Sequence, residues 1–170
     1  MSHPGAEQAN ITQFHQGTTV SAYEFMGAHP AAKGEQEGYC FRVWAPAAKE
    51  VSVVGDFNAW EHDSHPMEKI SQGVWETFIP NLQQYDNYKF SIVGADGKVR
   101  LKSDPYAFHF ETRPGNSSKL YDLRGYKWGD EAWRKRCREH PAYREPVNIY
   151  EVHLGSWRQR PNGDFIDYRD

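Results

Sequence analysis

Side chains able to move protons come first, and the tightest carboxyl groupings are Glu61 with Asp63, and Asp164 with Asp167 and Asp170. A carboxyl pair does acid and base work when its surroundings push the two pKa values apart, usually by burying one of them. Both groupings lie in polar, loop-like stretches, so they are read as solvated turn residues. His62 and His65 have a His-x-x-His spacing, but Asp63, Ser64 and Pro66 make the stretch a turn, and no cysteine or further histidine completes a metal site there. His109 and His153 stand alone, and a lone histidine is more often a packed or surface residue than a ligand. No glycine-rich phosphate loop, Gly-x-Ser-x-Gly elbow or zinc-ribbon spacing is found. The sequence thus offers no catalytic constellation, no metal site and no cofactor site.

The better lead is Gly55-Asp56-Phe57-Asn58-Ala59-Trp60, a strand end that turns and presents a tryptophan from a loop. An exposed indole is a flat stacking surface for the apolar side of a sugar ring. Lys89, in Tyr88-Lys89-Phe90, can donate hydrogen bonds to hydroxyls. The competing reading is that Trp60 only caps the edge of a sheet.

The elements that must position these residues are short strands. Tyr39–Trp44 sets Phe41 and Val43 on one face against Arg42 and Trp44 on the other. Val51–Val54, Val74–Ile79 and Tyr88–Val93 are further strand candidates, and Ala95-Asp96-Gly97 is a hairpin signal with Val99–Leu101 returning from it. Residues 1–12 show no periodicity and predict a mobile tail. Gln13–Pro30 reads as a loop or short helix, and Ala31–Gly38 as a linker. Asp130 is a candidate N-cap for a helix through Glu139, which Pro141 ends. Asn148–Leu154 then reads as one more strand.

Composition excludes several classes. The net charge of −3 shows no basic excess, which argues against nucleic acid and anionic membrane partners. No apolar run approaches the length of a membrane span, and the first residues lack a signal-peptide core, so a cytoplasmic protein is expected. Cys40 and Cys137 are far apart in unlike segments and are read as reduced thiols. Aromatic residues make up 15% of the chain; their flat faces suit sugar stacking, but composition alone favours the reading that they fill a small sandwich core.

Six segments occur together and in order: Phe41-Arg42-Val43-Trp44-Ala45-Pro46, Val51–Asn58, Gly73-Val74-Trp75-Glu76, Ile79-Pro80, Tyr88-Lys89-Phe90 and Asp104-Pro105-Tyr106-Ala107-Phe108. They resemble the glycogen-binding β-sandwich that precedes the catalytic barrel of glycogen branching enzymes. Gly27-Ala28-His29-Pro30 looks like the entry segment of those enzymes, Ile149–Trp157 like their first barrel strand and loop, and Gly163–Asp170 like the stretch leading into the first barrel helix. The resemblance covers the chain from about Gln13 to Asp170. The Val-His-Leu-Gly-Ser-Trp run, Val152–Trp157, is similar to branching rather than debranching enzymes.

The resemblance implies an all-β fold: an immunoglobulin-like β-sandwich of the early-set, carbohydrate-binding type, followed by a short helix and the first strand of a truncated β/α barrel. It implies boundaries at 1–38 for a tail and entry segment, 39–123 for the sandwich, 124–146 for a linker helix region and 147–170 for the barrel start. It also implies transfer of α-1,4-glucan segments to 6-hydroxyls by a retaining pair of carboxyls that lie outside this chain. Trp60 and Lys89 match sugar-binding positions of related glycogen-binding modules, and Asn116 falls near a third. A second tryptophan of those modules has no counterpart after the Asp96-Gly97 turn, where Lys98-Val99-Arg100 follow. The implied partners are α-1,4-glucan and the barrel of the same protein. The isolated barrel strand is expected to be disordered or to pair with a second copy. The alternative is a stand-alone glycogen-binding module, which would have no use for Asn148–Trp157.

Overall fold

The computed structural model of the protein describes residues 4–144 and 146–166. They divide into two compact units, the first ending at Arg124 and the second beginning at Gly125.

The first unit consists of two antiparallel sheets and a helix. Strands β1 (Gly27–Lys33), β2 (Gln36–Trp44), β5 (Val74–Pro80) and β4 (Glu68–Ser71) form one sheet in that spatial order. Strands β3 (Glu50–Gly55), β6 (Asn87–Val93), β9 (Ser118–Lys119) and β8 (His109–Phe110) form the main path of the other. Strand β7 (Val99–Lys102) pairs with β6 along Phe90–Val93, while β9 pairs with β6 at Asn87 and Tyr88, so the two share one side of β6.

Alternation along the strands decides what is buried. Phe41 and Val43 of β2, Val51 and Val53 of β3, and Tyr88 and Phe90 of β6 point into one core that also takes Trp75, Ile79 and Leu120. Their neighbours lie on the opposite face of each sheet, as the period of two requires, although Arg42, Ser52, Val54 and Ser91 are covered there as well. Phe41 meets Tyr88 edge to face, with ring centroids 5.2 Å apart. The all-β sandwich expected from the sequence is the fold observed.

The first 38 residues are more than a tail and an entry segment. Pro4–Gln16 form helix α1, from which Ile11 is buried with Phe25, Met26 and Val74, and Phe14 packs against that cluster. Two apolar side chains three apart are a weak periodic signal, yet they suffice to cover one end of the outer face of the β1–β2–β5–β4 sheet. The sandwich also begins at Gly27 rather than Tyr39, because β1 pairs with β2 over seven positions, Gly27 opposite Arg42 through Lys33 opposite Gln36. Gly, Pro and Ala dominate β1 and hide it from a propensity reading. Its place at the sheet edge is where Pro30 is tolerated.

In the second unit, α2 (Glu131–Glu139) follows Asp130 as the sequence indicated, although the Asp130 side chain makes no capping bond. The backbone amide of His140 donates to Arg136 O at 2.8 Å, and Pro141 follows. Asn148–His153 forms no strand; Ile149 and Tyr150 are 90% and 76% exposed, and Leu154–Trp157 make a helical turn, α3. A parallel barrel strand is held by neighbours on both sides, and none pairs with this segment among the described residues. Only an isolated bridge, Gln159 to Phe165, forms nearby. The end of the Gly163–Asp170 stretch, from Asp167 onward, lies outside the described residues. No helix among the described residues is long and apolar enough to cross a membrane. Deleting Val147–Asp170 is expected to leave the thermal unfolding of the sandwich unchanged when followed by circular dichroism. A lost or broadened transition would make the segment part of the sandwich core.

Candidate functional site

The turn after β3 is built by Asn58. Its Oδ1 accepts from Gly55 N at 2.9 Å, and its Nδ2 donates to Val53 O at 3.0 Å and to His65 Nδ1 at 2.9 Å. Burial lowers the His65 pKa, which favours the neutral ring that this last contact needs. The chain passes through a short 3₁₀ turn, Asp56–Asn58, and then two consecutive left-handed residues, Ala59 at φ 53° and Trp60 at φ 64°. Left-handed backbone is costly for residues with a Cβ, and Trp60 N is held there by a 3.0 Å bond to Gly55 O.

Trp60 is half-buried and its indole Nε1 donates to Asp56 Oδ1 at 3.0 Å. The other Asp56 oxygen accepts from Asn87 Nδ2 at 2.8 Å. One carboxylate therefore ties the loop tryptophan to the first residue of β6. Two residues on, with its side chain on the same face of the strand, Lys89 donates through Nζ to Asn116 Oδ1. Asn116 is fixed in turn by Ser103 Oγ, which donates to its carbonyl. Next to it, Glu111 accepts from Ser117 N at 2.8 Å, a bond that lowers the Glu111 pKa.

Trp60, Lys89 and Asn116 thus gather on the outer face of the β3–β6–β9 sheet. Lys89 and Asn116 touch directly, and Trp60 is tied through Asp56 to Asn87, two residues before Lys89 on β6. The two linking residues were not singled out in the sequence. The one available hint was the four-residue spacing from Asp56 to Trp60, which suits a side-chain bond across a turn. No aromatic partner follows the Asp96-Gly97 turn; Asp96 is instead held by Arg100, with an oxygen 2.7 Å from Nη2.

The carboxyl groupings stay at the surface. Asp63 is 98% exposed, Glu61 Oε2 accepts from Ser64 Oγ at 3.3 Å, and Asp164 Oδ2 accepts from Asn162 Nδ2 at 2.8 Å. Asp167 and Asp170 lie outside the described residues. His62 and His65 do not converge, since His65 Nδ1 is engaged by Asn58. No group of three His, Cys, Asp or Glu side chains suited to a metal ion occurs among the described residues.

Residues 25–107 match the family described as carbohydrate-binding module 48, the isoamylase N-terminal domain. This stretch of the chain belongs to that family. The match begins just ahead of β1, in keeping with a sheet that starts at Gly27. The module and its flanks are also similar to the N-terminal part of 1,4-α-glucan branching enzymes. The chain is 48% identical over 158 residues to the enzyme of Halothermothrix orenii, covering 92% of this chain and 25% of that protein. With the Bacillus subtilis enzyme it shares 42% identity over 162 residues, covering 95% of this chain and 26% of the relative. The chain thus spans about a quarter of the length of these relatives. Among solved structures, a type I pullulanase from Bacillus subtilis in complex with maltose superposes with a TM-score of 0.50 at 21% identity. That match covers 65% of this chain and 15% of the pullulanase, and it speaks to the fold alone.

Proposed function

We propose that this chain is the N-terminal part of a 1,4-α-glucan branching enzyme, a cytoplasmic protein of glycogen synthesis, and that its sandwich contacts α-1,4-glucan through Trp60, Lys89 and Asn116. The observation that carries the reading is identity of 42–48% across 92–95% of the chain with enzymes of that name. The similarity runs through the second unit, which favours an enzyme part over a stand-alone binding module. In this reading the chain guides glucan, and the carboxyls that cut and transfer it belong to a β/α barrel of which Ile149–Leu154 is the first strand. That segment, with Ile149 and Tyr150 exposed, is the surface through which the chain alone pairs with a second copy.

The patch suits a sugar chain. The Trp60 ring supplies an apolar face, the Lys89 ammonium has two further N–H donors beside the one given to Asn116, and the Asn116 amide can still donate. It is shallow, so maltoheptaose is expected to bind at about millimolar Kd, because little surface is buried against the cost of ordering the chain. Titration calorimetry on the 170-residue chain and on Trp60→Ala tests it, with the variant expected to bind about tenfold more weakly. Micromolar binding that survives Trp60→Ala would place the glucan elsewhere. The chain alone is expected to leave the iodine stain of amylose unchanged, and loss of stain would overturn the assignment of the chemistry to another part of the enzyme.

A further inference from the structure

Three aromatic side chains outside the Trp60 patch meet at one point. Tyr85 lies 5.6 Å from His109 and 5.8 Å from Tyr121 between ring centroids, and His109 lies 5.6 Å from Tyr121. The rings are steeply inclined, at 85°, 58° and 51°, so they form a cup rather than a stack. Tyr85 remains 52% exposed.

The strand register places this cup on the same face as Lys89. Lys119 is opposite Asn87 on one side and opposite His109 on the other, whereas Ser118, fully buried, is opposite Tyr88 of the core. Asn87, Lys119 and His109 therefore point outward with Lys89, since residues directly opposite share a face. Tyr85 lies in the turn that leads into β6, two residues before Asn87. The cup thus continues the outer face past Asn87, the residue that anchors Asp56 and Trp60.

Two details indicate that the cup is built. Tyr85 sits at φ 77°, a left-handed conformation that a bulky side chain adopts only when its surroundings impose it, and its amide is held there by a 2.8 Å bond to Leu120 O. His109 Nδ1 is 2.9 Å from Phe110 O; a carbonyl only accepts, so Nδ1 donates in this contact and Nε2 is left to meet a ligand.

We infer that Tyr85, His109 and Tyr121 form a second contact patch for α-glucan on the outer face of the β6–β9–β8 sheet, so that a long chain engages this patch and the Trp60 patch together. A sugar ring stacks on Tyr85, while His109 Nε2 and the Tyr121 hydroxyl meet its hydroxyl groups. The inference rests on the glucan-binding reading given above.

Tyr85→Gly tests it, because glycine takes the left-handed backbone freely and removes only the ring. Calorimetric titrations of the whole chain with maltotriose and maltoheptaose, run beside Trp60→Ala, separate the two ideas. The variant is expected to melt no lower than the wild type, to bind maltoheptaose about fivefold more weakly, and to bind maltotriose as before. Trp60→Ala should weaken both sugars. Wild-type affinity of Tyr85→Gly for maltoheptaose overturns the second patch and leaves the first standing. Equal weakening of both sugars by Tyr85→Gly also overturns it, by placing Tyr85 within a single site. No binding of either sugar by the wild type overturns both readings.

Discussion

Replacing Asp104 with alanine is expected to destabilise the sandwich by about 3 kcal/mol and to lower its melting midpoint by roughly 10 °C. Asp104 is 1% exposed, and its carboxylate accepts from the Tyr88 hydroxyl at 2.6 Å and from Tyr106 N at 2.8 Å, while its own amide donates to Ser118 Oγ at 2.8 Å. Alanine would leave the Tyr88 hydroxyl and the Tyr106 amide without acceptors in a place water does not reach. Asp104→Asn should cost much less, since the amide oxygen still accepts from Tyr106 and the amide nitrogen can donate to the Tyr88 oxygen. The pH dependence has a definite sign. Burial raises the Asp104 pKa above its ordinary value of 3.8, against the smaller opposing effect of the bonds from Tyr88 and Tyr106. A raised folded pKa gives stability that is full below the unfolded pKa and is lost as pH rises through the folded one. Wild type should therefore lose stability relative to Asp104→Asn between acid and neutral pH, as denaturant melts at pH 3.5 and about pH 7 would show. An alanine variant that melts with the wild type would remove Asp104 from the core network.

Gly55→Ala is expected to cost about 2 to 3 kcal/mol and to abolish the glucan binding proposed for the Trp60 patch. Gly55 has an extended φ of −175°, which any residue can adopt, so the constraint is space. A Cβ there would lie 2.1 Å from Asn87 O and 2.5 Å from the Phe57 ring. The carbonyl belongs to β6 and cannot retreat without opening the β3–β6 ladder, in which Gly55 is opposite Tyr88. Displacing Asn87 also breaks the Asp56 link that orients Trp60. Thermal melts paired with a maltoheptaose titration check both halves of the expectation, and a variant that melts and binds as the wild type does would refute it.

The parts of the fold legible in the sequence are those where local preference and tertiary need agree. Phe41 and Val43, Val51 and Val53, and Tyr88 and Phe90 alternate as buried strands must, and all three pairs enter the core. Strand β1 was illegible because Gly27, Pro30, three alanines and a lysine favour no strand, and only the ladder with β2 imposes one. Helix α1 was illegible because its anchors reduce to Ile11 and Phe14. Asn148–Leu154 shows the converse, a strand-like sequence that takes no strand because none pairs with it among the described residues. At the site, Trp60 and Lys89 were legible from a turn that presents an indole and a donor on a neighbouring strand, and Asn116 came from resemblance alone, while Asp56 and Asn87 act through side-chain bonds that strand periodicity does not encode. Tyr85 was beyond reach altogether, since nothing in its type foretells a left-handed backbone.

The two borders of the β1–β2–β5–β4 sheet bear on how the protein behaves at high concentration. A free strand border is a template on which another polypeptide can lay down a strand and begin a fibre. On one border Pro30 has no N–H to offer such a newcomer, and Lys33 would carry a charge into the contact. On the other, Glu68 and Lys69 are exposed and the register slips between Lys69 and Ser71, bending the strand away from a flat template. Stacking of copies through this sheet is thereby discouraged at both ends, and crowded copies of the protein do not join through it into a continuous ribbon.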